Sequence, residues 1–230
     1  MLDELGLAPA PNGWLSRWQA LEQLAADACP PLAPEQPVSE DGVIGELLRH
    51  LPPHALLFSG NSLPIRQLDS WCVGRTEPLR ILANRGASGI DGNVSTLLGL
   101  AAAGTNPVVG LLGDLALLHD SNGLLAAPGL QATIVVLNNG GGGIFGYLPQ
   151  AGLAGFERHW LTPQGLDLAQ LAALHRLGHT RVHRQHQFGP ALRANLKAPG
   201  VNLIEVMLER ATSQARHRDY WRRIGSRPLP

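Results

Sequence analysis

Six short apolar runs, separated by segments of helical periodicity, restrict this 230-residue chain to few folds. The runs are apolar throughout instead of alternating with polar residues, which is typical of strands covered by helices on both faces. Helical connections between consecutive strands also force parallel pairing. We therefore predict an α/β fold, a three-layer sandwich around a mainly parallel sheet of about six strands. The predicted strands are His54–Phe58, Arg80–Ala83, Pro107–Leu112, Ala132–Leu137, a weaker one at Thr180–Val182, and Val201–Leu208, and the predicted helices include Asn93–Ala103, Leu115–Ala127 and Asp167–Leu177.

The two ends of the chain differ in pattern from the middle. A short apolar stripe of helical spacing near the amino terminus is followed by a proline-rich stretch, residues 29–37, which cannot continue a helix. We interpret residues 1–37 as the remnant of a preceding domain with its linker. The domain itself is expected over residues 38–212. Residues 213–230 form an arginine-rich tail, for which a solvated helix is favoured over a surface for a partner or nucleic acid.

Charge and composition exclude several classes of protein. Eighteen basic and eighteen acidic side chains give a formal net charge of zero, so there is no excess positive field for a nucleic-acid backbone. Hydrophobic residues make up 44% and charged residues 16%, a balance that favours a folded core over disorder. The two cysteines lack the spacing of a zinc site or a disulfide framework, and neither a signal peptide nor an apolar run of about 20 residues is recognisable. We expect a cytoplasmic protein that binds neither nucleic acid nor a membrane.

Polar, glycine-containing segments follow four of the predicted strands directly. They are Ser59–Arg66, Asn84–Gly92, Gly113–Asp114 and Asn138–Phe145. Because ligands of open α/β sheets bind at the carboxyl ends of the strands, these segments are expected to meet at one site. Glycine, with 27 residues, is concentrated there although it costs conformational entropy, so the backbone is expected to approach a ligand closely.

The residues at two of these strand ends have the chemistry of a metal diphosphate site. Asp114 supplies a carboxylate, the pair Asn138 and Asn139 supplies a carboxamide, and the following glycines can supply a backbone carbonyl. Such hard oxygen ligands suit Mg²⁺, which keeps its other positions for water and phosphate oxygens. Glycine amides and the amino-terminal end of a helix would bind the diphosphate. Taken singly, Asp114 could instead be a helix cap and Asn138-Asn139-Gly140 an ordinary turn, but their order along the chain favours the ligand site.

These motifs resemble a known family. Gly113-Asp114 with Asn138-Asn139 resembles the diphosphate-binding motif of thiamine diphosphate enzymes. The further segments Gly60–Arg66, Asn84–Gly92, His119–Gly123 and Asn138–Phe145 are similar to the MenD family, the 2-succinyl-5-enolpyruvyl-6-hydroxy-3-cyclohexene-1-carboxylate synthases of menaquinone and phylloquinone biosynthesis. The stretch Asn84–Gly92, with the sequence NRGASGIDG, is the most specific of them. Leu115 stands where the general motif has a third glycine, and the spacer before Asn138 is slightly short.

The resemblance implies roles for individual residues. Asp114 and Asn139 would be side-chain ligands of Mg²⁺, or of Mn²⁺ in its place, and Gly141 would add its carbonyl. Positions along thiamine diphosphate are implied for Ser88, Gly89, Ile90, Gly113, Asp114, Leu115, Asn139, Gly141, Ile144 and Phe145. Catalytic or substrate-facing positions are implied for Asn61, Ser62, Arg66 and Arg85.

The resemblance also implies a reaction and partners. The family decarboxylates 2-oxoglutarate on thiamine diphosphate and adds the resulting succinic semialdehyde unit to isochorismate. A glutamate on a pyrimidine-binding domain is required, and no such domain is recognisable here, so that domain is expected on another polypeptide in a homo- or hetero-oligomer. The isolated chain is expected to be inactive. Another carboligase related to acetolactate synthase, or a non-catalytic cofactor-binding remnant, remain as alternatives.

Two groups of basic residues have competing interpretations. The planar guanidinium of arginine binds a carboxylate through two parallel hydrogen bonds, so Arg66 and Arg85 suit dicarboxylate substrates. Arg66 could also be a solvated residue on a helix. The histidines at 175, 179, 183 and 186 are predicted to be loop and helix-end residues and not a metal site, because Gly178 interrupts the helix between the first two.

Overall fold

A computed structural model describes residues 10–72, 74–84 and 89–228, which divide into two units. One unit contains residues 32–214, and the other combines the segment up to Pro31 with the segment from Ala215 onward. The division of the chain at residues 37 and 212 stays a prediction. In the described ranges, no helix has both the length and the apolar character needed to span a membrane.

The larger unit is built on one sheet of six parallel strands. Its strands are β1 (Ala55–Ser59), β2 (Leu79–Ala83), β3 (Val108–Gly113), β4 (Ala132–Asn138), β5 (Gly178–Val182) and β6 (Val201–Met207), in the order β2-β1-β3-β4-β6-β5. Every strand predicted from the sequence is present, with ends shifted by no more than two residues. From β1 the chain goes to β2 on one side of β1, and then to β3 on its other side. Such a change of direction in the strand order opens a crevice between β1 and β3 at their carboxyl ends.

Helices of the larger unit cover both faces of the sheet, as the uninterrupted apolar runs predict. They are α2 (Glu40–His50), α3 (Leu63–Trp71), α4 (Asn93–Ala103), α5 (Asp114–His119), α6 (Leu168–Leu174) and α7 (Gln185–Lys197). Two further helices, α1 (Trp14–Ala28) and α8 (Arg210–Gly225), lie wholly and mostly, respectively, in the other unit. Leu97 of α4 and Leu168 of α6 pack with strand residues in one buried cluster. Helices α3 and α7 contact the sheet, and α2 packs against both. The predicted α/β three-layer sandwich is confirmed.

The edge strand β2 departs from the expected pattern. It pairs with β1 alone, and Ile81 is 46% exposed, whereas all five residues of β1 are buried. A strand at the edge of a sheet has one neighbouring strand and fewer helices packed on it, so β2 is less buried than its apolar sequence predicts.

The predicted helix Leu115–Ala127 is wrong as a single element. Helix α5 ends at His119, and a separate 3₁₀ helix follows at Ser121–Ala126. Asp120 between them leaves helical geometry, and its carboxylate accepts hydrogen bonds from the backbone N–H and the hydroxyl of Ser95, at 2.8 and 3.1 Å. The break therefore satisfies backbone donors in the first turn of α4.

The predicted helix Asp167–Leu177 is shorter in the structure. Asp167 caps α6 by accepting a hydrogen bond from the backbone N–H of Ala169 at 3.0 Å. Helix α6 ends before Arg176, which has a φ of 57°, and β5 begins at Gly178. The left-handed residue turns the chain from the helix into the strand.

The smaller unit contains α1 and most of the arginine-rich tail. Helix α8 covers most of that tail, and Tyr220 on it is buried. Arg216 and Arg227 donate to the backbone carbonyls of Pro30 and Asp27, at 3.1 and 2.8 Å. These arginines thus satisfy carbonyl groups at the end of α1 and beyond it.

Candidate functional site

A cavity of about 210 Å³ lies at the carboxyl ends of β1, β3 and β4. Ten of the residues selected from the sequence line it: Asn61, Ser62, Ile90, Gly113, Asp114, Leu115, Asn139, Gly141, Ile144 and Phe145. The remaining lining residues are Glu40, Leu63, Pro64, Gln67, Ala116, Leu137, Gly142, Gly143 and Leu208. The four polar strand ends expected to form one site are therefore represented around one cavity.

Two predicted site residues, Gly89 and Arg66, are not among the residues that line the cavity. Gly89 is outside the cavity lining, but its carbonyl accepts a hydrogen bond from the side-chain amide of Asn61. Arg66 is exposed on α3, and its guanidinium donates to the backbone carbonyl of Ser62 at 2.7 Å. Arg85 and Ser88 lie outside the described residues.

Asp114 is a carboxylic acid held away from water. It begins α5 directly after β3 and is 6% exposed. Burial raises its pKa from 3.8 to about 6, although the backbone N–H groups of Leu115, Gly140 and Gly141 donate to it and limit the rise. A buried carboxylate without a cation is costly, so this position favours a positive ligand.

The two asparagines after β4 have separate roles. The Asn138 side chain donates to Glu205 at 2.7 Å, and its oxygen accepts from the backbone N–H of Gly140 at 3.2 Å. It forms the turn that the alternative interpretation of this motif expected. Asn139 instead lines the cavity, and its buried side-chain oxygen accepts no hydrogen bond within the described parts of the chain. A buried oxygen of this kind is suited to a ligand or a metal ion.

The glycine run after Asn139 is held tightly by a segment that sequence analysis did not select. Gly142 donates its N–H to the carbonyl of Leu161 at 2.7 Å, and a Cβ on Gly141 would lie 2.2 Å from the same oxygen. Leu161 ends a π-helical turn, Glu157–Leu161. A Cβ on Gly143 would lie 2.5 Å from the side-chain nitrogen of Asn139. Glycine is therefore required here because both neighbours occupy the space of a side chain.

The strand-to-helix turn after β1 is strained at the cavity wall. Ser62 has a φ of 74°, a value that a residue with a Cβ rarely adopts. Pro64 follows in the first turn of α3, where its ring suits the helix. Such outliers persist where the surroundings dictate the conformation, and they are concentrated at functional sites.

One end of the cavity has an apolar wall. Ile144 and Phe145 line it, and the Phe145 ring packs edge-on against Trp160 with ring centroids 5.5 Å apart. Trp160 belongs to the same π-helical turn that holds the glycine run. The turn thus supports the two halves of the loop after β4, its glycines and its aromatic residue.

Of the nine lining residues that the sequence analysis did not select, two have polar side chains, Glu40 and Gln67. Glu40 is the first residue of α2 and is 5% exposed, and Gln67 on α3 is 4% exposed. In the sequence, Glu40 stands next to a second acid, Asp41, and Gln67 has no distinctive context, so neither residue indicates a site. Their burial at the cavity depends on the packing of α2 against α3, which the sequence pattern does not reveal.

The histidines at 175–186 form no metal centre in the structure. His179 contacts the buried carboxylate of Glu205 at 3.0 Å, and His186 contacts the carbonyl of Pro34 at 2.9 Å. Among the described residues there is no group of three or more His, Cys, Asp or Glu side chains arranged around a possible ion. The candidate magnesium ligands fall outside such a group because only Asp114 among them is an acid.

Replacing Asp114 by Asn is expected to stabilise the metal-free chain at pH 7.5. The rise in pKa to about 6 means that the folded chain keeps a proton that the unfolded chain loses above pH 3.8. The unfolding free energy of the unsubstituted chain therefore falls as pH rises through this window, by about 3 kcal/mol at most. Urea unfolding in a chelator should show a gain of about 1 to 3 kcal/mol for Asp114→Asn at pH 7.5 and almost none at pH 4. An equal effect at both pH values would contradict the burial of this charge.

The comparisons with known proteins place the chain in a family of cofactor-binding domains. Residues 68–206 match the model of the C-terminal TPP-binding domain of thiamine pyrophosphate enzymes. That match covers more than half of the chain, so the chain belongs to this family. A solved structure from Mycobacterium smegmatis, described as a thiamin diphosphate-dependent enzyme, has a TM-score of 0.62 and covers 76% of this chain and 32% of that one. At 22% identity it supports the fold alone.

Within the family, the chain is similar to the MenD proteins, as the motifs predict. The 2-succinyl-5-enolpyruvyl-6-hydroxy-3-cyclohexene-1-carboxylate synthase of Chloroflexus aurantiacus is 46% identical over 92% of this chain, and that of Geobacillus kaustophilus is 42% identical over 93%. The Myxococcus xanthus synthase is 41% identical over 96% of the chain. The chain spans 36%, 37% and 38% of the length of these three curated relatives.

Proposed function

We propose that this chain is the diphosphate- and metal-binding part of a 2-succinyl-5-enolpyruvyl-6-hydroxy-3-cyclohexene-1-carboxylate synthase. Such an enzyme is a thiamine diphosphate-dependent carboligase that adds the succinic semialdehyde unit of 2-oxoglutarate to isochorismate. The observation that carries the proposal is that two residues lining the cavity have buried oxygens suited to a cation, the Asp114 carboxylate and the side-chain oxygen of Asn139. The names of the most similar relatives agree with it.

The residues present fit a divalent cation. The Asp114 carboxylate is desolvated, and the Asn139 amide oxygen accepts no hydrogen bond in the described ranges. Both are hard oxygen ligands that a bound cation would stabilise. With the carbonyl of Gly141 they would hold Mg²⁺, or Mn²⁺ in its place, and the ion would supply positive charge to offset that of the diphosphate. Gly113 and Leu115 flank Asp114 at the cavity. The backbone of the glycine run after Asn139, of which Gly141, Gly142 and Gly143 line the cavity, would contact the diphosphate.

The remaining site residues would orient the reactants and exclude water. Bound thiamine diphosphate supplies an electron sink for the decarboxylation of a 2-oxo acid. Ile90, Ile144 and Phe145 would form apolar walls around it, with Ser88 and Gly89 alongside. Asn61 and Ser62 would face the substrates from the turn after β1. Arg66 and Arg85 would bind substrate carboxylates, which requires the exposed guanidinium of Arg66 to turn away from the Ser62 carbonyl.

The active centre would be completed by another domain. The cavity of about 210 Å³ is smaller than the roughly 300 to 1,000 Å³ of most small-molecule sites, which suits a surface that a second domain closes. That domain would bind the pyrimidine ring and supply the activating glutamate. We propose that this domain meets the cavity in a homo- or hetero-oligomer in the cytoplasm, and that residues 1–230 are inactive without it. Residues 38–212 would form the cofactor-binding domain, with residues 1–37 from a preceding domain and its linker.

Two measurements test the proposal. Calorimetric titration of the chain with thiamine diphosphate should show binding that depends on Mg²⁺ and disappears in a chelator. The chain combined with a pyrimidine-binding domain of the same family should consume 2-oxoglutarate and isochorismate, whereas the chain alone should not. Turnover of pyruvate in place of 2-oxoglutarate would favour a relative of acetolactate synthase. Binding without turnover in any combination would favour a non-catalytic remnant.

A further inference from the structure

Gln67 is a buried amide on the cavity wall that no step of the proposed function uses. It lies on α3 and is 4% exposed, although it lines the cavity. The exposed Arg66 precedes it, so the two neighbours point to different surroundings. A buried amide needs partners for its oxygen and its nitrogen alike, since burial without them is costly.

Trp71 fixes the orientation of this amide. The indole nitrogen of Trp71 donates to the side-chain oxygen of Gln67 at 2.5 Å, one helical turn along α3. An indole N–H can only donate, so the group that faces it must be the oxygen and not the nitrogen of the amide. The nitrogen of Gln67 makes no hydrogen bond with the rest of the described chain, and it is the end of the side chain left for the cavity.

We propose that Gln67 is a further substrate-binding residue, whose amide N–H groups donate to a carboxylate oxygen of a 2-oxo dicarboxylate in the cavity. The inference rests on the proposed function for the location of the substrate. The cavity lining already contains two carboxyl groups, those of Glu40 and Asp114, and a carboxylate among them would repel a further anion. A fixed pair of N–H donors would offset that repulsion without adding a charge of its own. Trp71 pre-orients the donor, so little side-chain entropy is lost when the ligand binds.

Gln67→Glu is the variant that isolates this contact. Glutamate has nearly the same volume and still accepts the hydrogen bond from Trp71, but it replaces the two donors by a negative charge. The matched control is Gln131→Glu, which adds the same charge at an exposed position. Gln131 directly precedes β4, so it lies at the amino end of the strand, whereas the cavity lies at the carboxyl ends. Both variants would be compared with the unsubstituted chain by titration with 2-oxoglutarate.

The readout is the indole N–H resonance of Trp71 in ¹⁵N-labelled protein, assigned by its loss in Trp71→Phe. In the unsubstituted chain this resonance should shift as 2-oxoglutarate is added. Affinity should fall at least about 10-fold in Gln67→Glu, the effect of losing a hydrogen bond to a charged group, and stay within about twofold in Gln131→Glu. The dimethyl ester of 2-oxoglutarate, which has no carboxylate, should be much less affected by Gln67→Glu than the acid is.

Several outcomes would overturn the inference. One is equal affinity of 2-oxoglutarate for Gln67→Glu and Gln131→Glu. Another is an equal loss of affinity in Gln67→Glu for 2-oxoglutarate and for its dimethyl ester. A third is that the Trp71 resonance of the unsubstituted chain does not shift when 2-oxoglutarate is added. If Gln67→Glu does not fold, Gln67→Met decides in its place, because it keeps the volume and removes the donors. Titration of the same samples with Mg²⁺ and thiamine diphosphate separates the two proposals: cofactor binding without a Gln67 effect overturns this inference alone, and absent cofactor binding overturns the proposed function.

Discussion

Asp114→Ala is expected to reduce the affinity of the chain for thiamine diphosphate in the presence of Mg²⁺ by at least about 100-fold, since a metal ligand is removed. Asp114 lines the cavity together with Asn139, whose side-chain oxygen accepts no hydrogen bond from the described residues. Among the described residues that line the cavity, Asp114 is the one acid that directly follows a strand. The substitution removes a buried charge but also the acceptor of the backbone N–H groups of Leu115, Gly140 and Gly141, so its two effects on the stability of the metal-free chain oppose each other. Binding is therefore measured under conditions in which urea unfolding shows the variant to be folded. Calorimetric titration and urea unfolding of the same preparation measure both.

The control for this substitution is Asp69→Ala on α3. Asp69 is exposed and is not part of the cavity lining, so removal of its carboxylate should leave cofactor affinity within about twofold. Binding that survives Asp114→Ala, or that is lost equally in both variants, would argue against the proposed metal site.

Gly141→Ala is expected to destabilise the loop after β4 more than any other single methyl addition in it. A Cβ at this position would lie 2.2 Å from the carbonyl oxygen of Leu161, and the φ of Gly141 is 132°, which L residues rarely adopt. The chain must either move the π-helical turn or lose the loop conformation. We expect a loss of about 3 kcal/mol or more in the free energy of unfolding, together with loss of cofactor binding.

Gly140→Ala is the matched control. Gly140 also has a positive φ, of 75°, but a Cβ there meets nothing within 4 Å. Replacing Gly140 by alanine should lower the free energy of unfolding by about 1 kcal/mol, the cost of placing a residue with a Cβ in the left-handed backbone conformation. Chemical unfolding of the two variants measures the difference, and similar losses would mean that contact with Leu161 does not determine the loop.

The fold was largely predictable because its strands are short, apolar and separated by helices. The exceptions have local physical causes. The helix expected at Leu115–Ala127 is broken at Asp120 because that carboxylate binds the first turn of α4, a contact between segments far apart in sequence. The exposure of Ile81 follows from the position of β2 at the sheet edge, which depends on strand order. Neither effect appears in the periodicity of a single segment.

The candidate site was predictable where it depends on strand ends. Asp114 and Asn139 could be selected because parallel strands bring their carboxyl ends together. Gln67 and the π-helical turn could not, since their place at the site follows from helix packing and from a loop without regular periodicity. The structure also separates Asn138 from Asn139, which the sequence presents as an equivalent pair.

The hydrogen bond between Asn138 and Glu205 affects the order in which the molecule can assemble. The two residues are 67 positions apart, and Glu205 belongs to β6, which pairs with β4. The turn that contains Asn139 therefore cannot take its final form before β6 has joined the sheet. Because contacts between distant segments form slowly, the proposed metal site should mature late in folding. A nascent chain released before Glu205 would have Asp114 and both asparagines and still lack the preorganised site.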